Sequence, residues 1–320
     1  MRRLCLDPWG PPSIAQESSA TLFDTSFNSK TNRESAQSIK CSPFVSVRQL
    51  SRVHSCDRMI MIHESDRTNH LLYRFDHIND PVARRRVFDR ILSTAYLNHP
   101  HILKVQKVWY DTTGRLCVIT DYPGNQEGLV TLGDLLEARG GKLEFAEATR
   151  LIGQLLEGCV HAAAHGVVHG PFGMDELLVD RHGCTLVELF GLQQALNNQY
   201  SVADARSEQT RSIVEIGYTL ATGMPADEIA SSSDASRPSK FAKRYGKQWD
   251  AWFALASDPV DGFVNAQQAI DTMPLDAAHV AKLAEIKPIL PVKSGRNENL
   301  VRNTRGSAMF SRFRRSSGSR

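Results

Sequence analysis

Hydrophobic periodicity changes once along this chain, near residue 122, and that change limits the fold class. Between residues 44 and 121, apolar residues alternate with polar ones or form short runs, as in VSVRQL, DRMIMIHE and LCVITDY. Beyond residue 122 the apolar residues take helical spacing, as in FAEATRLIGQLLEGCVHAAAHG. The first pattern predicts strands and the second predicts helices. Because the strands come first, we predict an α+β fold, with an antiparallel sheet followed by a mainly helical part.

Composition favours a globular protein in a reducing compartment. The chain has 320 residues, of which 41% are apolar, and this is enough for a sizeable buried core. Its six cysteines are scattered, without the close pairing of a zinc site or the density of a disulfide scaffold. We therefore expect free thiols and a cytoplasmic location. No apolar run approaches the roughly 18 residues of a membrane span, so we expect neither secretion nor a transmembrane segment.

The two ends of the chain differ from its middle. Residues 1–43 are rich in Ser, Thr, Asn and Gln, and residues 287–320 hold nine Lys or Arg against Glu298 alone. Both compositions are typical of disorder, so we predict two disordered tails around a domain at 44–286. Weak contact of the basic tail with an anionic membrane or with nucleic acid is one interpretation, and solvated disorder is the other.

A helix is predicted directly after Asp80-Pro81, in the segment PVARRRVFDRILSTAYL. Proline suits the first turn of a helix, and the preceding Asp suits its N-cap. Spacing within the segment suggests one apolar stripe that faces the sheet. Its members would be Val82, Val87, Ile91, Ala95 and Tyr96.

A motif follows the long helical pattern: residues 169–191 read HGPFGMDELLVDRHGCTLVELFG. This spacing resembles the catalytic loop of a protein kinase running into its metal-binding loop. Three other segments resemble landmarks of the same family in the same order. They are NHPHI at 98–102, VITDY at 118–122 and ALASDPVDGFVNAQQA at 254–269. Residues 45–273 thus resemble a Ser/Thr protein-kinase domain of a degenerate kind, a pseudokinase. The resemblance implies a two-lobed fold, with an N-lobe at about 44–121 and a C-lobe at about 122–286.

The resemblance also implies that the positions which perform the family's chemistry are altered. Pro171 stands at the catalytic Asp, Glu176 at the metal-binding Asn and Leu189 at the metal-binding Asp. Proline has no carboxylate to orient a hydroxyl, and an aliphatic side chain cannot ligate Mg²⁺. We therefore predict no catalytic residue and no metal site. Metal binding by Glu176 with its neighbour Asp175 is the alternative.

A vestigial nucleotide cleft is a further implication of the resemblance. Residues 45–73 contain no glycine, so the glycine-rich hairpin that cradles phosphates in kinases is absent. The register of HLLYRF suggests Arg74 at the position of the strand-three Lys. Arg74 would form an ion pair with Asp89 if the helix that follows is rotated, and the alternative is that both are solvated surface charges. The cleft positions expected from the resemblance are Arg74, the gatekeeper Thr120, and Asp121 and Tyr122 at the hinge.

Three smaller features bear on the site. His161, His165 and His169 recur at intervals of four, as in a metal-binding helix face, but His169 is expected in the loop beyond the helix. The resemblance places Glu208 or Gln209 at the family's Asp near the start of the next long helix. It also places Gly262 at an Arg whose Glu partner, in an Ala-Pro-Glu motif, is missing as well.

These observations favour one function and leave a second open. The first is a catalytically inactive kinase-like domain that acts as a scaffold or allosteric protein-interaction module. Its partner would be a protein, such as an active kinase or its substrate, and its ATP binding would be weak, Mg-independent or absent. The second is an atypical ATP-dependent phosphotransferase for protein Ser/Thr or for small molecules. His169-Gly170 resembles the His-Gly-Asp of aminoglycoside phosphotransferases, although Pro171 replaces that Asp too.

Overall fold

The computed structural model describes residues 40–41, 43–53, 55–124, 128–197, 201–229, 237–242, 244–258 and 261–274. The expected tail at 287–320, the last residues of the predicted domain and most of 1–43 lie outside the described residues. Lys40 and Cys41 fall within the segment expected to be a tail, yet they form a strand that pairs with the next one. The first strand therefore begins earlier than the sequence suggested.

The N-terminal lobe is a six-stranded antiparallel sheet with one helix. The sheet order is β1-β2-β3-β4-β6-β5, so the last two strands are exchanged relative to the chain. The strands are β1 Lys40–Cys41, β2 Phe44–Val53, β3 Cys56–His63, β4 Asn69–Phe75, β5 Val105–Tyr110 and β6 Leu116–Asp121, and α1 spans Pro81–Thr94.

The C-terminal lobe is mainly helical. A small antiparallel sheet joins β7 Val130–Thr131, β8 Leu177–Val179 and β9 Thr185–Val187. The helices are α2 Leu132–Ala138, α3 Phe145–Ala164, α4 Leu192–Asn197, α5 Val202–Thr222, α6 Gly246–Ser257 and α7 Ala266–Asp271. Among the described helices, none is both long and apolar enough to cross a membrane. The predicted α+β, two-lobed architecture is confirmed.

Helix α1 begins as the sequence predicts but buries a different stripe. The Asp80 carboxylate accepts hydrogen bonds from the backbone N–H groups of Val82 and Ala83, at 3.0 and 3.2 Å. Val87 and Ile91 are buried, but Val82 and Tyr96 are 70% and 84% exposed, so their assignment to the inner face was wrong. At 100° per residue, Val82 lies opposite Ile91 on the helix, and Tyr96 follows the end of the helix.

The two faces of the large sheet belong to separate hydrophobic clusters. Met61, Leu72 and Ile119 pack together on one face. Leu71 and Val118 pack against α1 on the other, because side chains alternate along each strand. This second cluster continues into the C-terminal lobe through Leu178, Leu189 and Leu192. The two lobes therefore share one buried cluster.

The core of the C-terminal lobe depends on a close approach of α3 and α5. Gly217 on α5 faces Ile152 on α3, which is fully buried. A methyl group at Gly217 would overlap the Ile152 side chain, whereas one at Gly158 would meet its neighbours at an ordinary 3.7 Å. Gly217 thus permits the helices to approach, and Gly158 does not have that role.

Four histidine rings lie close together where the loop after α1 crosses the end of α3. They belong to His99, His101, His161 and His165. The rings of His99 and His161 stack at 5.0 Å, and those of His161 and His165 lie 4.6 Å apart. His101 is 5.5 Å from His99, and His169 stacks elsewhere, on Phe172. Burial lowers the pKa of His99 to about 4, with help from its two histidine neighbours. Across the described ranges, no group of three His, Cys, Asp or Glu side chains is arranged to hold a metal ion.

Replacing Gly217 with Ala is predicted to destabilise the protein by about 1–3 kcal/mol, because the added methyl overpacks the contact with Ile152. Gly158→Ala is the matched control and should be neutral or stabilising, since it raises helix propensity in a site with room. Urea unfolding monitored by circular dichroism measures both. Equal effects of the two changes would contradict this account of the helix contact.

The histidine group is predicted to weaken the fold as the pH falls. The folded-state pKa values of His99, His101 and His161 are depressed, so the unfolded chain binds more protons below the ordinary His pKa, down to the pKa of about 4 of His99. The contribution is therefore fully present above pH ~6.5 and is lost below it. With allowance for the partial exposure of the ring, His99→Asn should reduce the loss of unfolding free energy between pH 7 and pH 5 by roughly 1 to 2 kcal/mol.

Asn is suited to this position because the Nδ1 atom of His99 accepts the backbone N–H of His101, at 3.2 Å, and an amide oxygen can do the same. His182→Asn, in an exposed turn, is the control. If unfolding curves at the two pH values show the same change for both variants, the buried group does not cause the pH dependence.

Candidate functional site

The candidate site lies between the lobes, under the face of the sheet that carries Thr120. Thr120 is fully buried on β6 and pairs with Leu71 on β4. Two residues further along β4, Tyr73 pairs with Val118 and therefore shares the face of Thr120. Arg74 points to the opposite face, where its guanidinium lies 2.7 Å from Asp111. The structure thus places Tyr73 on the cleft face and Arg74 outside it.

This difference of one residue has a physical reason. The run HLLYRF is apolar on both faces, so it lacks the alternation that sets a register in sequence. The expected pair of Arg74 and Asp89 is not formed either, because Asp89 lies 2.7 Å from Arg85, one turn earlier on α1. Of the predicted cleft residues, Arg74 therefore lies outside the cleft.

A buried polar network occupies the cleft beneath the sheet. Its centre is Glu188, which directly follows β9 and is 2% exposed. Nη1 of Arg58 lies 3.1 Å from both carboxylate oxygens, and the hydroxyl of Tyr73 donates to one of them at 2.8 Å. The remaining donors of Arg58 bond the carbonyl and the hydroxyl of Ser51 on β2, each at 2.8 Å. The network links three strands of the N-terminal lobe to the C-terminal lobe.

Electrostatics in this network are governed by burial. Burial raises the pKa of the Glu188 carboxyl, while the Arg58 charge and the Tyr73 hydrogen bond oppose that rise. Burial and the nearby carboxylate raise the pKa of Tyr73 far above its usual value, so its hydroxyl stays protonated and remains a donor. A buried guanidinium and carboxylate satisfy each other here, and neither has solvent to replace its partner.

Leu189, at the position where the resemblance implied a metal-binding Asp, is packed in the core. Leu189 is 2% exposed and lies in the cluster shared by the lobes, beside residues of α1. Its φ of 41° is in the left-handed region, which costs a residue with a Cβ roughly 1–2 kcal/mol. Phe190 packs in the C-terminal core, and Gly191 has a φ of 81° with Arg90 and Val167 close by. The turn at residues 189–191 thus begins with an aliphatic side chain and has left-handed backbone at both Leu189 and Gly191.

The loop that carries Pro171 is held by helix α5. The backbone N–H of His169 donates to Gln209 at 2.7 Å, and that of Phe172 donates to Ser212 at 2.8 Å. Of the two residues that the resemblance offered for the family's Asp, Gln209 contacts this loop, whereas Glu208 lies 3.5 Å from Arg211 on the helix. These bonds use side chains of α5 and backbone groups of the loop, so they fix its path regardless of the residue at 171.

Glu176 is buried inside the lobe and has a structural partner. It is 2% exposed, and its carboxylate accepts the backbone N–H of Gly173 at 2.6 Å. Its other oxygen lies 3.6 Å from Nε2 of His169. Asp175 beside it is exposed. The carboxylate of Glu176 thus faces the loop and His169.

The remaining predicted cleft residues line the hinge side. Thr120 donates its hydroxyl to the carbonyl of Asp121 at 3.0 Å, and the Asp121 carboxylate accepts from Gln106. Burial raises the pKa of Tyr122 to about 12. The open space nearby, lined by Arg48, Arg58 and Asp134 among others, is a cavity of about 220 Å³. Ligand pockets are usually larger, about 300 to 1,000 Å³.

The segment beyond Gly191 packs against α1. Arg86 on α1 donates to the carbonyl of Ala195 on α4 at 2.8 Å, so this segment packs under α1. At Gly262, where the resemblance implied Arg, a Cβ atom would collide with the carbonyl oxygen of Asp258. The local backbone therefore excludes a side chain at that position.

Sequence reasoning missed the three residues that fill the cleft, Arg58, Tyr73 and Glu188. A signal existed for Arg58, which is the one charged residue inside the apolar run RMIMI. A charge inside a buried strand needs a buried partner. The identity of that partner, 130 positions away, required the tertiary structure.

Comparisons with known proteins agree with this geometry. The sequence profile of the protein tyrosine and serine/threonine kinase family matches residues 63–225. The chain is similar to the probable serine/threonine-protein kinase KIN1 homolog of Encephalitozoon cuniculi, with 27% identity over 115 residues. It is also similar to the serine/threonine-protein kinase SIK2 of Gallus gallus, with 29% identity over 101 residues. These matches cover 36% and 32% of this chain but only 19% and 12% of the two relatives.

A solved structure supports the fold. The crystal structure of the Mycobacterium tuberculosis PknI kinase domain superposes with a TM-score of 0.58 at 18% identity. The superposed region covers 75% of this chain and 98% of the PknI kinase domain chain. The family profile spans just over half of the present sequence. The chain therefore belongs to the protein tyrosine and serine/threonine kinase family.

Proposed function

We propose that this domain is a pseudokinase, a catalytically inactive kinase fold that serves as a scaffold or allosteric protein-interaction module, with weak or no nucleotide binding. The observation that carries the proposal is the buried network of Arg58, Tyr73 and Glu188 in the cleft. It stands together with Pro171 and Leu189 at the two positions where the family has acidic residues.

The first argument concerns charge. Phosphoryl transfer relies on carboxylates that hold Mg²⁺ and orient the attacking hydroxyl. Leu189 offers no ligand atom, and Pro171 offers no proton acceptor. The two nearby carboxylates are engaged otherwise, Glu176 with the backbone of Gly173 and Glu188 with Arg58. Rearranging either would leave a buried group unpaired, at a cost of about 1–3 kcal/mol or more.

The second argument concerns space. Tyr73 stands on the face where kinases place a lysine for the phosphates, and its hydroxyl is bonded to Glu188. Arg58 reaches the same carboxylate from the neighbouring strand. A phosphate group in this place would have to displace Glu188 from both donors. The interaction that would bind a nucleotide is thus replaced by one within the protein.

The third argument concerns partners. Val82 in the first turn of α1 and Tyr96 just beyond its end have most of their surface exposed, and Leu92 in the last turn is 38% exposed. Exposed apolar side chains in one part of the surface favour protein contacts, so we assign a protein partner, such as an active kinase or its substrate. The buried free thiols of Cys56, Cys117, Cys159 and Cys184 suit a reducing compartment, the cytoplasm. Weak contact of the basic tail at 287–320 with anionic surfaces stays part of the proposal.

ATP is predicted to leave the thermal stability of the full chain unchanged, with Mg²⁺ or with EDTA. A ligand present at 100 times its Kd would stabilise a protein by about 2.7 kcal/mol, which for a domain of this size raises Tm by several degrees. Thermal unfolding at millimolar ATP tests this directly. A clear rise in Tm would contradict the weak-binding part of the proposal.

No phosphotransfer is expected in assays with Mg²⁺ or Mn²⁺ against protein and small-molecule acceptors. Glu176→Gln is the diagnostic variant, since it keeps the bond to Gly173 but removes a carboxylate, and the exposed Asp175→Asn is its control. Turnover that disappears only in Glu176→Gln would establish the other function, an atypical phosphotransferase with displaced catalytic residues.

The cleft network is predicted to be strongly coupled. Glu188→Ala should lower the unfolding free energy by about 3–5 kcal/mol, because it leaves the buried Arg58 without a partner. The double change Arg58→Met with Glu188→Leu should recover most of that loss. Asp76→Ala, which breaks the exposed pair with Arg52, is the control and should have little effect. If the loss of unfolding free energy in the double variant equals the sum of the losses in Arg58→Met and Glu188→Leu alone, measured by urea unfolding, the pair is not coupled.

A further inference from the structure

One edge of the N-terminal lobe is basic, although the chain before its C-terminal segment is acidic. Residues 81–110, which form α1, β5 and the loop between them, hold six Lys or Arg against Asp89 alone. Residues 287–320 hold nine Lys or Arg against Glu298, so a net charge of +3 for the whole chain leaves the part before residue 287 negative. The cations around α1 and β5 are therefore a local feature of this edge.

An apolar patch lies beside these cations. Phe88 and Leu92 are one turn apart and share a face of α1. Tyr110 at the end of β5 stacks on Phe88 with ring centroids 5.3 Å apart, and Val108 shares the face of Tyr110. Leu92 and Tyr110 are 38% and 40% exposed, and Phe88 and Val108 are half-buried. We call these four residues the α1–β5 patch.

The strand that carries half of this patch is also the edge of the sheet. β5 is last in the strand order, so it pairs with β6 on one side and with no described strand on the other. Gln106 and Lys107 on this strand are exposed. Unpaired N–H and C=O groups along an edge can add an extended segment of another chain as a new strand. One such segment would reach both the edge and the α1–β5 patch.

Two guanidinium groups flank the patch. Arg84 and Arg85 precede Phe88 by four and three residues, so they lie on its side of the helix. Burial raises the pKa of Tyr110, and the charges of Arg84 and Arg85 oppose that rise, so both charges act on its hydroxyl. Arg85 lies 2.7 Å from Asp89, whereas no described carboxylate forms an ion pair with Arg84. Arg84 therefore keeps a positive charge beside an apolar surface.

We propose that β5 and the α1–β5 patch dock an extended, acidic segment of a partner protein. The backbone of the segment would pair with the free edge of β5, and its apolar side chains would cover Leu92 and Tyr110. Its carboxylates would lie against Arg84 and Arg85. Charge complementarity selects such a partner over the chain's own basic tail at 287–320, which these arginines would repel. The inference rests on the proposed interaction function, to which it adds a surface and a partner chemistry.

The probe is a library of random twelve-residue peptides displayed on phage and selected on the full chain. Enriched peptides should carry net negative charge and have apolar residues at alternate positions, the pattern of a strand with one apolar face. Fluorescence polarisation then gives the Kd of a synthetic copy of the strongest binder. Replacing its Asp and Glu with Asn and Gln should raise that Kd at least tenfold. NMR shifts on the labelled chain should cluster at Leu92, Lys107 and Tyr110.

Variants of the chain test whether the peptide uses this surface. Arg84→Glu and Leu92→Ser should each weaken peptide binding at least tenfold. Lys247→Glu and Val264→Ser are the matched controls, since both residues are exposed in the C-terminal lobe, and they should bind as the wild type does. Circular dichroism checks that each variant is folded, and Arg84→Glu, a change of a surface charge, keeps the test decisive if Leu92→Ser unfolds.

Four results would overturn the inference. They are that no peptide is enriched, that basic peptides are enriched as often as acidic ones, that Arg84→Glu and Leu92→Ser bind as the wild type does, or that the bound peptide is helical by transferred NOEs. None of these results decides whether the domain is catalytically inactive, which the ATP and phosphotransfer assays test separately. Failure of this docking surface and failure of the proposed function are thus distinguishable.

Discussion

The ion pair between Arg58 and Glu188 is the interaction on which the arrangement of the lobes depends. Both side chains are almost fully buried, and the hydroxyl of Tyr73 completes the coordination of the carboxylate. Buried pairs seldom add much net stability, but a buried charge that loses its partner is severely unfavourable. The pair therefore acts as a constraint: any state of the protein that keeps these groups from water must also keep β3 beside the segment after β9.

A separate set of contacts explains how a kinase fold can accommodate Leu189 and Pro171. The fold requires a particular backbone path in two loops, and side chains that take no part in metal binding hold that path. Gln209 and Ser212 bind backbone N–H groups of one loop, and Leu189 adds its side chain to the cluster shared by the lobes. The groups that hold the loop backbone are therefore not the acidic side chains that catalysis would need. The loop backbone can keep its path without those acidic side chains.

The sequence was most informative where a pattern is local. The six described N-lobe strands begin with one, β1, that lay inside a predicted tail, but β2, β3, β6, α1 and α3 lie close to their predicted segments. It was least informative about which side chain faces which way. Val82 and Tyr96 were assigned to the apolar stripe of α1, although Val82 lies opposite Ile91 on the helix and Tyr96 follows its end. In β4, a run that is apolar on both faces left the register open, and Arg74 was chosen over Tyr73.

From the order of residues alone came the α+β class, the two-lobed kinase resemblance and the expectation that acidic residues are missing at 171 and 189, because spacing and side-chain type are written directly in the chain. Only the tertiary structure joined Arg58 to Glu188, which are 130 positions apart. Strand pairing and helix packing create such neighbours. Burial then determines whether a charged side chain requires a partner within the protein, and burial is a property of the folded chain.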